Sequence, residues 1–366
     1  MNVPKLRFKE FNDDWIEEKI NELVELNPKN PNLPENFIYI DLESVSNGIL
    51  LQEKILTKDD APSRAQRQVK VNDILYQTVR PYQKNNLFID KLSHLPYIAS
   101  TGYAILREKN IYQKFLFNKL HTDSFVNEVL DNCTGTSYPA INSNDLGNIK
   151  IFCPNNFKEQ KRIGDFLSLI DKKIELQTKK IEDLKLFKLY IKNKIFSGIK
   201  TKDKIINTLN YEQPNRYIVK SDDYLNDENL IPVLTANKAF ILGYCNEDDY
   251  YNKGDVIIFD DFTMDSKYVN FNFKIKSSAI KLLTQKNNNN LKYIFECLQA
   301  LNLESTEHKR HYISIVQEIE IPVPDIIVQN KIANLMFTYD KKIKLESDNY
   351  NKLIELKKGL MQNMFV

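Results

Sequence analysis

"DKKIEL" occupies residues 171–176 and "DKKIKL" residues 340–345, a shift of 169 in a chain of 366. Stepping outward from the first by alternate fours and threes gives Ile163, Leu167, Ile170, Ile174, Gln177, Ile181, Leu184, Lys188, Ile191 and Ile195. Eight of these ten positions are apolar, the 3.5-residue seam of a coiled coil. The same steps from Ile332 give Met336, Tyr339, Ile343, Glu346, Tyr350, Leu353, Lys357, Leu360 and Met364, again with eight apolar. The polar exceptions coincide, Gln177 with Glu346 and Lys188 with Lys357. Period and defects agree, so one helix is written twice.

The flanks repeat as well. "IFCPNNFKEQKRI" and "IPVPDIIVQNKI" each carry a β-like run ending in proline (Pro154, Pro324), with a helix expected to start near Gln160 or Gln329. About 40 residues at 1.5 Å each make a helix of roughly 60 Å. That length suits a strut better than a core helix. The organisation is therefore block 1–154, helix 155–198, block 199–322, helix 323–366. In the blocks, "FIYIDLESV" (37–45), "NDILYQTV" (72–79) and "KGDVIIFDDF" (253–262) read as strands, and a helix is expected from about Leu291. "VNDILYQTVRPY" and "KGDVIIFDDFT" share a turn, a strand and a polar cluster at the strand's end, so the blocks are distant copies.

Composition narrows the class. Apolar residues make up 42% and charged residues 27%, the balance of a globular protein. No apolar run is long enough to span a membrane, and "MNVPKLRFKEF" lacks a signal-peptide core, so a cytoplasmic protein is expected. Cys133, Cys153, Cys245 and Cys297 lie far apart and read as reduced thiols. A net charge of +2 does not mark a nucleic-acid binder, but local stripes matter more than the total. Neither phosphate-cradling glycine motif occurs among the nine glycines.

The stretches "VPKLRFKEFNDDWIEEKINEL", "APSRAQRQVKVNDILYQTVRPY", "STGYAILR" and "GTSYPAINSNDLGNIKI" resemble the first target-recognition domain of type I restriction-modification specificity (S) subunits. "YIVKSDDYL", "IPVLTANKAF" and "GDVIIFDDFTMDSKYV" are similar to another recognition-domain type of that family, and the struts resemble its helical spacers. The resemblance covers essentially the whole chain. It implies an α+β fold with two mixed α/β target-recognition domains. Two long helices join them as an antiparallel coiled coil, giving a pseudo-two-fold internal repeat. It also implies that each domain reads one half of a bipartite double-stranded DNA target. Two methyltransferase (M) subunits would dock on the helices, and restriction-motor (R) subunits would complete the complex. S-adenosylmethionine, ATP and Mg are then expected on those partners and none on this chain.

Particular residues carry the DNA chemistry. Arg64, Gln66 and Arg67 in "SRAQRQ" are expected in a loop before a strand, and Gln77, Thr78, Arg80 and Tyr82 at that strand's end. Arginine's planar fork suits guanine or phosphate, and glutamine suits adenine. Thr136, Ser137 and Tyr138 in "GTSYP" join this group. The second block offers Thr235, Asn237, Lys238, Asp260, Asp261 and Thr263 for base contact, with Lys309 and Arg310 for phosphate. Each motif alone would read as a solvated loop. Asp260 and Asp261 lack the further carboxylates of a metal site, and His308 and His311 lack the cysteines of a zinc finger. His94 and His121 are expected to be structural or surface residues. Two rivals remain: an adaptor whose coiled coil and blocks bind proteins, and a self-contained DNA methyltransferase or nuclease. No methyltransferase or hydrolase signature supports the second, so a chain that binds without catalysing is expected.

Overall fold

The computed structural model describes residues 3–29, 32–46, 48–135, 137–236, 239–304 and 310–366. Two compact units form, Met1–Thr178 with Asn349–Val366, and Lys179–Asp348. The division falls inside the long helices, because each half of a helix packs against its own block.

The first unit opens with β1 (Trp15–Lys19), α1 (Ile20–Leu23), β2 (Val24–Leu26) and β3 (Asn36–Ile40). Then come β4 (Val45–Ser46), β5 (Ile49–Leu50), β6 (Lys54–Thr57), β7 (Ala65–Gln68), β8 (Ile74–Gln77) and β9 (Leu87–Phe88). β10 (Tyr97–Ser100), β11 (Tyr103–Glu108), α2 (Gln113–Lys119), α3 (Asp123–Asp131), α4 (Ser143–Asn148) and β12 (Lys150–Pro154) lead into the long helix α5 (Phe157–Gly198). One sheet has the order β2-β11-β8-β9 and another β6-β3-β10-β7, in which β3 and β10 run parallel. β1 pairs antiparallel with β12, the strand that enters the strut.

The second unit repeats this plan. It contains β13 (Lys202–Lys204), α6 (Ile205–Thr208), β14 (Leu209–Glu212), β15 (Ile231–Leu234), β16 (Ile241–Cys245) and β17 (Val256–Asp260). β18 (Ser266–Val269), β19 (Lys274–Ile275), β20 (Ile280–Gln285), α7 (Leu291–Ala300) and β21 (Glu320–Pro322) precede the long helix α8 (Ile326–Met364). The sheets are β14-β20-β17-β18 and β16-β15-β19, with β15 parallel to β19 and β13 paired to β21. Even single bonds recur: Ile20 N donates to Ile149 O, and Ile205 N to Ile319 O. The chain is an α+β internal repeat.

The central strands explain why their sequences are apolar without interruption. Ile74 and Tyr76 of β8 face one core while Leu75 faces another. Ile257 and Phe259 of β17 likewise face away from Ile258. Side chains alternate along a strand, so a strand covered on both faces needs apolar residues at every position. Each such fully buried side chain contributes roughly 1.5–3 kcal/mol.

The two long helices are antiparallel. In the first unit the start of α5 meets the end of α8: Ile163, Leu167 and Met364 share a core, and Lys357 Nζ lies 2.5 Å from Asp171 Oδ1. In the second unit the end of α5 meets the start of α8, with Lys188 Nζ 2.7 Å from Asp340 Oδ1 and the Phe187 and Tyr339 rings 5.7 Å apart. All twenty seam positions are buried or half-buried. The polar exceptions Lys188 and Lys357 thus make the same cross-helix ion pair, shifted by 169 residues. Glu346 of the other pair of exceptions receives Lys180 at 2.6 Å. Gly164 lets α5 approach the second helix of its block, since a Cβ there would lie 2.7 Å from Phe115 N. The four cysteines are free. Among the described residues, no helix is long and apolar enough to cross a membrane.

Candidate nucleic-acid interface

In the first unit three loops are stitched together where β8 ends. Thr78 N and Oγ1 both donate to Gly102 O, at 3.0 and 2.9 Å, and Ile141 N donates to Thr78 O. Arg80 N donates to Pro139 O at 2.7 Å, and Thr101 N donates to Arg64 O at 2.9 Å. These bonds gather Arg64, Arg80 and the Ser137–Tyr138 segment around one turn.

Arg80 is the centre of this group. Its φ of +54° puts a non-glycine residue in the left-handed region, a cost of order 1–3 kcal/mol. The guanidinium lies 4.3 Å from the centroid of the Tyr138 ring, a cation–π contact. Tyr138 is 65% exposed, and Tyr82, in the adjoining turn Pro81–Gln83, is also exposed. No ion pair to Arg80 is made among the described residues. A planar fork rests on an open aromatic face, able to meet a guanine edge or a phosphate.

Other expected contacts require correction. Gln66 and Arg67 sit on strand β7 rather than in a loop. Gln66 is exposed, whereas Arg67 is half-buried, its Nε is buried without a hydrogen-bond partner among the described residues, and burial lowers its pKa. Gln77 and Thr78 are buried. Gln77 Nε2 donates to Gln83 Oε1 at 2.9 Å, its Oε1 accepts from Asn85 N, and its own N–H donates to Asn86 Oδ1. They shape the loop that carries Arg80 and do not project from it. Ser137 is exposed; Thr136 lies outside the described residues.

The second unit has a different chemistry at the same place. Gln77 pairs with the first residue of β11, and Asp260 pairs with the first residue of β20. Gln77 therefore corresponds to Asp260 and Thr78 to Asp261. Asp260 Oδ1 accepts from Phe262 N and Thr263 N at 2.9 and 3.0 Å, closing a turn. Asp261 Oδ1 accepts from His311 N at 3.0 Å and Tyr312 N at 2.7 Å, and its Oδ2 lies 3.7 Å from Lys281 Nζ. Lys281 is fully buried; burial and then the Arg310 charge lower its pKa. Both aspartates thus hold backbone, which corrects their expected placement in a groove. Thr235 is buried with its N–H on Phe240 O. Thr263 and Arg310 are exposed, while Asn237, Lys238 and Lys309 lie outside the described residues.

Sequence reasoning missed the support beneath the Arg80 loop. Asn86, whose Oδ1 takes the Gln77 N–H, also meets His121 Nε2 at 3.4 Å, and His121 Nδ1 meets Phe117 O at 2.6 Å. The second of these is an i, i+4 contact just past the end of α2, but no local pattern points to the first.

The sequence model of the type I restriction modification DNA specificity domain matches residues 12–186 and again 193–356. The chain belongs to this family. A type I restriction enzyme specificity subunit of Escherichia coli is 44% identical over 140 residues, 34% of this chain and 34% of that protein. The HindI specificity subunit of Haemophilus influenzae is 29% identical over 149 residues, 39% of this chain and 32% of that one. The chain therefore spans about a third of the length of these curated relatives. Its fold is similar to the crystal structure of a type I restriction-modification S subunit from M. genitalium, at 17% identity, with a TM-score of 0.68 over 100% of this chain and 99% of that one. A chain from a structure of type I R-M complex assembly and conformational transition gives 0.58 at 18% identity, covering 97% of this chain and 98% of that one. Two family matches on one S subunit coincide with its two structural copies.

Proposed function

We propose that this S subunit reads a bipartite double-stranded DNA target, each unit taking one half, and supplies recognition without chemistry. The observation that carries this is the contrast between constant scaffold and changed strand end: Arg80 on Tyr138 in one unit, buried aspartates in the other. Duplicated readers with different tips suit a target whose two halves differ in sequence. In this reading the long helices set the half-site separation, and two methyltransferase subunits dock on them. Two exposed apolar positions recur across the repeat in support: Leu176 and Leu345 are each 59% exposed, and Phe187 and Leu356 are half-exposed. Large exposed apolar residues on a helix favour a protein partner, and two equivalent sets favour two copies of it. S-adenosylmethionine, ATP and Mg would be held by the methyltransferase and motor subunits.

The test is methylome sequencing of cells with and without this chain, alongside its methyltransferase partner. A two-part methylated motif should depend on the chain. Arg80→Ala should then relax one half only, by about 1–3 kcal/mol of discrimination. An unchanged motif in that variant would remove Arg80 from base reading.

A further inference from the structure

Gln160 and Gln329 stand 169 residues apart, each the fourth residue of its long helix and each almost fully buried. Gln160 Nε2 donates to Pro154 O at 2.8 Å, and its Oε1 accepts from Tyr112 N at 2.8 Å. Gln329 Nε2 donates to Pro324 O at 2.9 Å and to Asn289 Oδ1 at 3.0 Å, and its Oε1 accepts from Asn290 N at 2.9 Å. Tyr112 and Asn290 are the N-cap residues of α2 and α7. Those two helices share cores with the central strands, Phe115 with Tyr76 and Tyr293 with Phe259.

One amide therefore ties three parts in each unit: the strut, the backbone entering it, and the helix behind the central sheet. The neighbours differ. Glu159, beside Gln160, holds Arg7 and Trp15, while the corresponding position is Val328, and Tyr112 is matched by an asparagine. The amide's bonds survive this divergence because its separate oxygen and NH2 accept from one backbone group and donate to another at the same time. Its backbone partners, half-buried at Tyr112, Asn290 and Pro324, would otherwise lose this bond.

We infer that Gln160 and Gln329 are matched positioning residues for specificity. Each fixes the angle at which its reading sheet leaves the strut, and so limits the spacer lengths the subunit accepts. This rests on the bipartite reading proposed above. Removing one amide leaves the base-contacting loops intact but lets one reader tilt.

The experiment uses the complete methyltransferase complex and duplexes that carry both cognate half-sites with the natural spacer or one base pair more or less. Gln160→Met and Gln329→Met preserve bulk and remove the amide's two bonds in the first unit and three in the second. Each should lower discrimination between spacers by about tenfold while base preferences inside the half-sites stay unchanged. A residue that only stabilised the fold would lower the melting temperature and leave that ratio alone; such a result overturns the inference. A second measurement needs no variant. Amide exchange in the wild-type complex should show Tyr112 and Asn290 N–H protected at least about 100-fold, as buried bonds are, and free-cap exchange rates would also overturn it. A wild-type complex without a two-part target would instead overturn the proposed function, and the exchange result would still stand.

Discussion

The ends of the two central strands occupy the same place in the fold and are built oppositely. In the first unit, strand β8 runs into neutral Gln77 and Thr78, then presents Arg80 on an exposed tyrosine. In the second, β17 runs into Asp260 and Asp261, whose carboxylates turn inward to hold backbone N–H groups. The contacts along the long helices match: Lys357 with Asp171 and Lys188 with Asp340. Constant contacts therefore mark what the duplicated scaffold needs, and the divergent ones mark where the two units part.

The comparison breaks most sharply at Asp261 and its counterpart Thr78. Asp261→Ala removes the carboxylate that accepts from Tyr312 N and, beside the Asp261 carbonyl, from His311 N, and it leaves Lys281 buried without its nearest carboxylate. Breaking a buried charged pair costs about 3–5 kcal/mol. Thr78→Ala loses one hydroxyl bond to Gly102 O, worth about 1 kcal/mol. Urea unfolding of the two variants should show that order; equal losses would mean that the inward aspartate is not what holds the second loop.

A pH test sharpens the first unit's side of the comparison. Burial pushes the His121 imidazole down from 6.5 to about 4. The folded value lies below the unfolded one, so the unfolded chain takes up the proton first as pH falls. The first unit is then fully stable with respect to this group above pH 6.5, and loses up to about 3 kcal/mol on the way to pH 4. His121→Gln should flatten the pH dependence in that window. Parallel stability curves for wild type and variant would show that the ring titrates freely.

What could be read from residues alone follows from how local each cause is. The seams were legible because burial along a helix repeats every 3.5 residues, and Ile163 to Ile195 sample it over nine turns. Strands β8 and β17 were legible because both faces are covered. The loop residues were not, since residue type is the same whether a side chain faces DNA or holds a turn. Asp261 and the N–H groups it binds are 50 and 51 residues apart, and Gln77 acts on a loop eight or nine residues on. Arg80 and Tyr138 were each named, but only the fold brings them to 4.3 Å.

The smallest effects test the part of the comparison that matches. Lys188 reaches Glu296 of α7 at 2.8 Å as well as Asp340, and the Glu296 side chain is only 6% exposed. Burial alone would lower the Lys188 pKa, yet its bonds to Asp340 and Glu296 raise it above the ordinary value. Lys357 has the Asp171 half of this network, and its partner is 38% exposed. Lys188→Met should therefore cost about 2 kcal/mol, because Glu296 keeps Lys192 at 3.4 Å but loses its closer cation. Lys357→Met should cost less than about 1 kcal/mol, the range of a half-exposed pair screened by water. High salt should shrink the Lys357 effect and leave most of the Lys188 effect. If the two variants lose equal stability and respond equally to salt, then the second strut end gains nothing from Glu296, and the duplicated ion pair is the whole of both contacts.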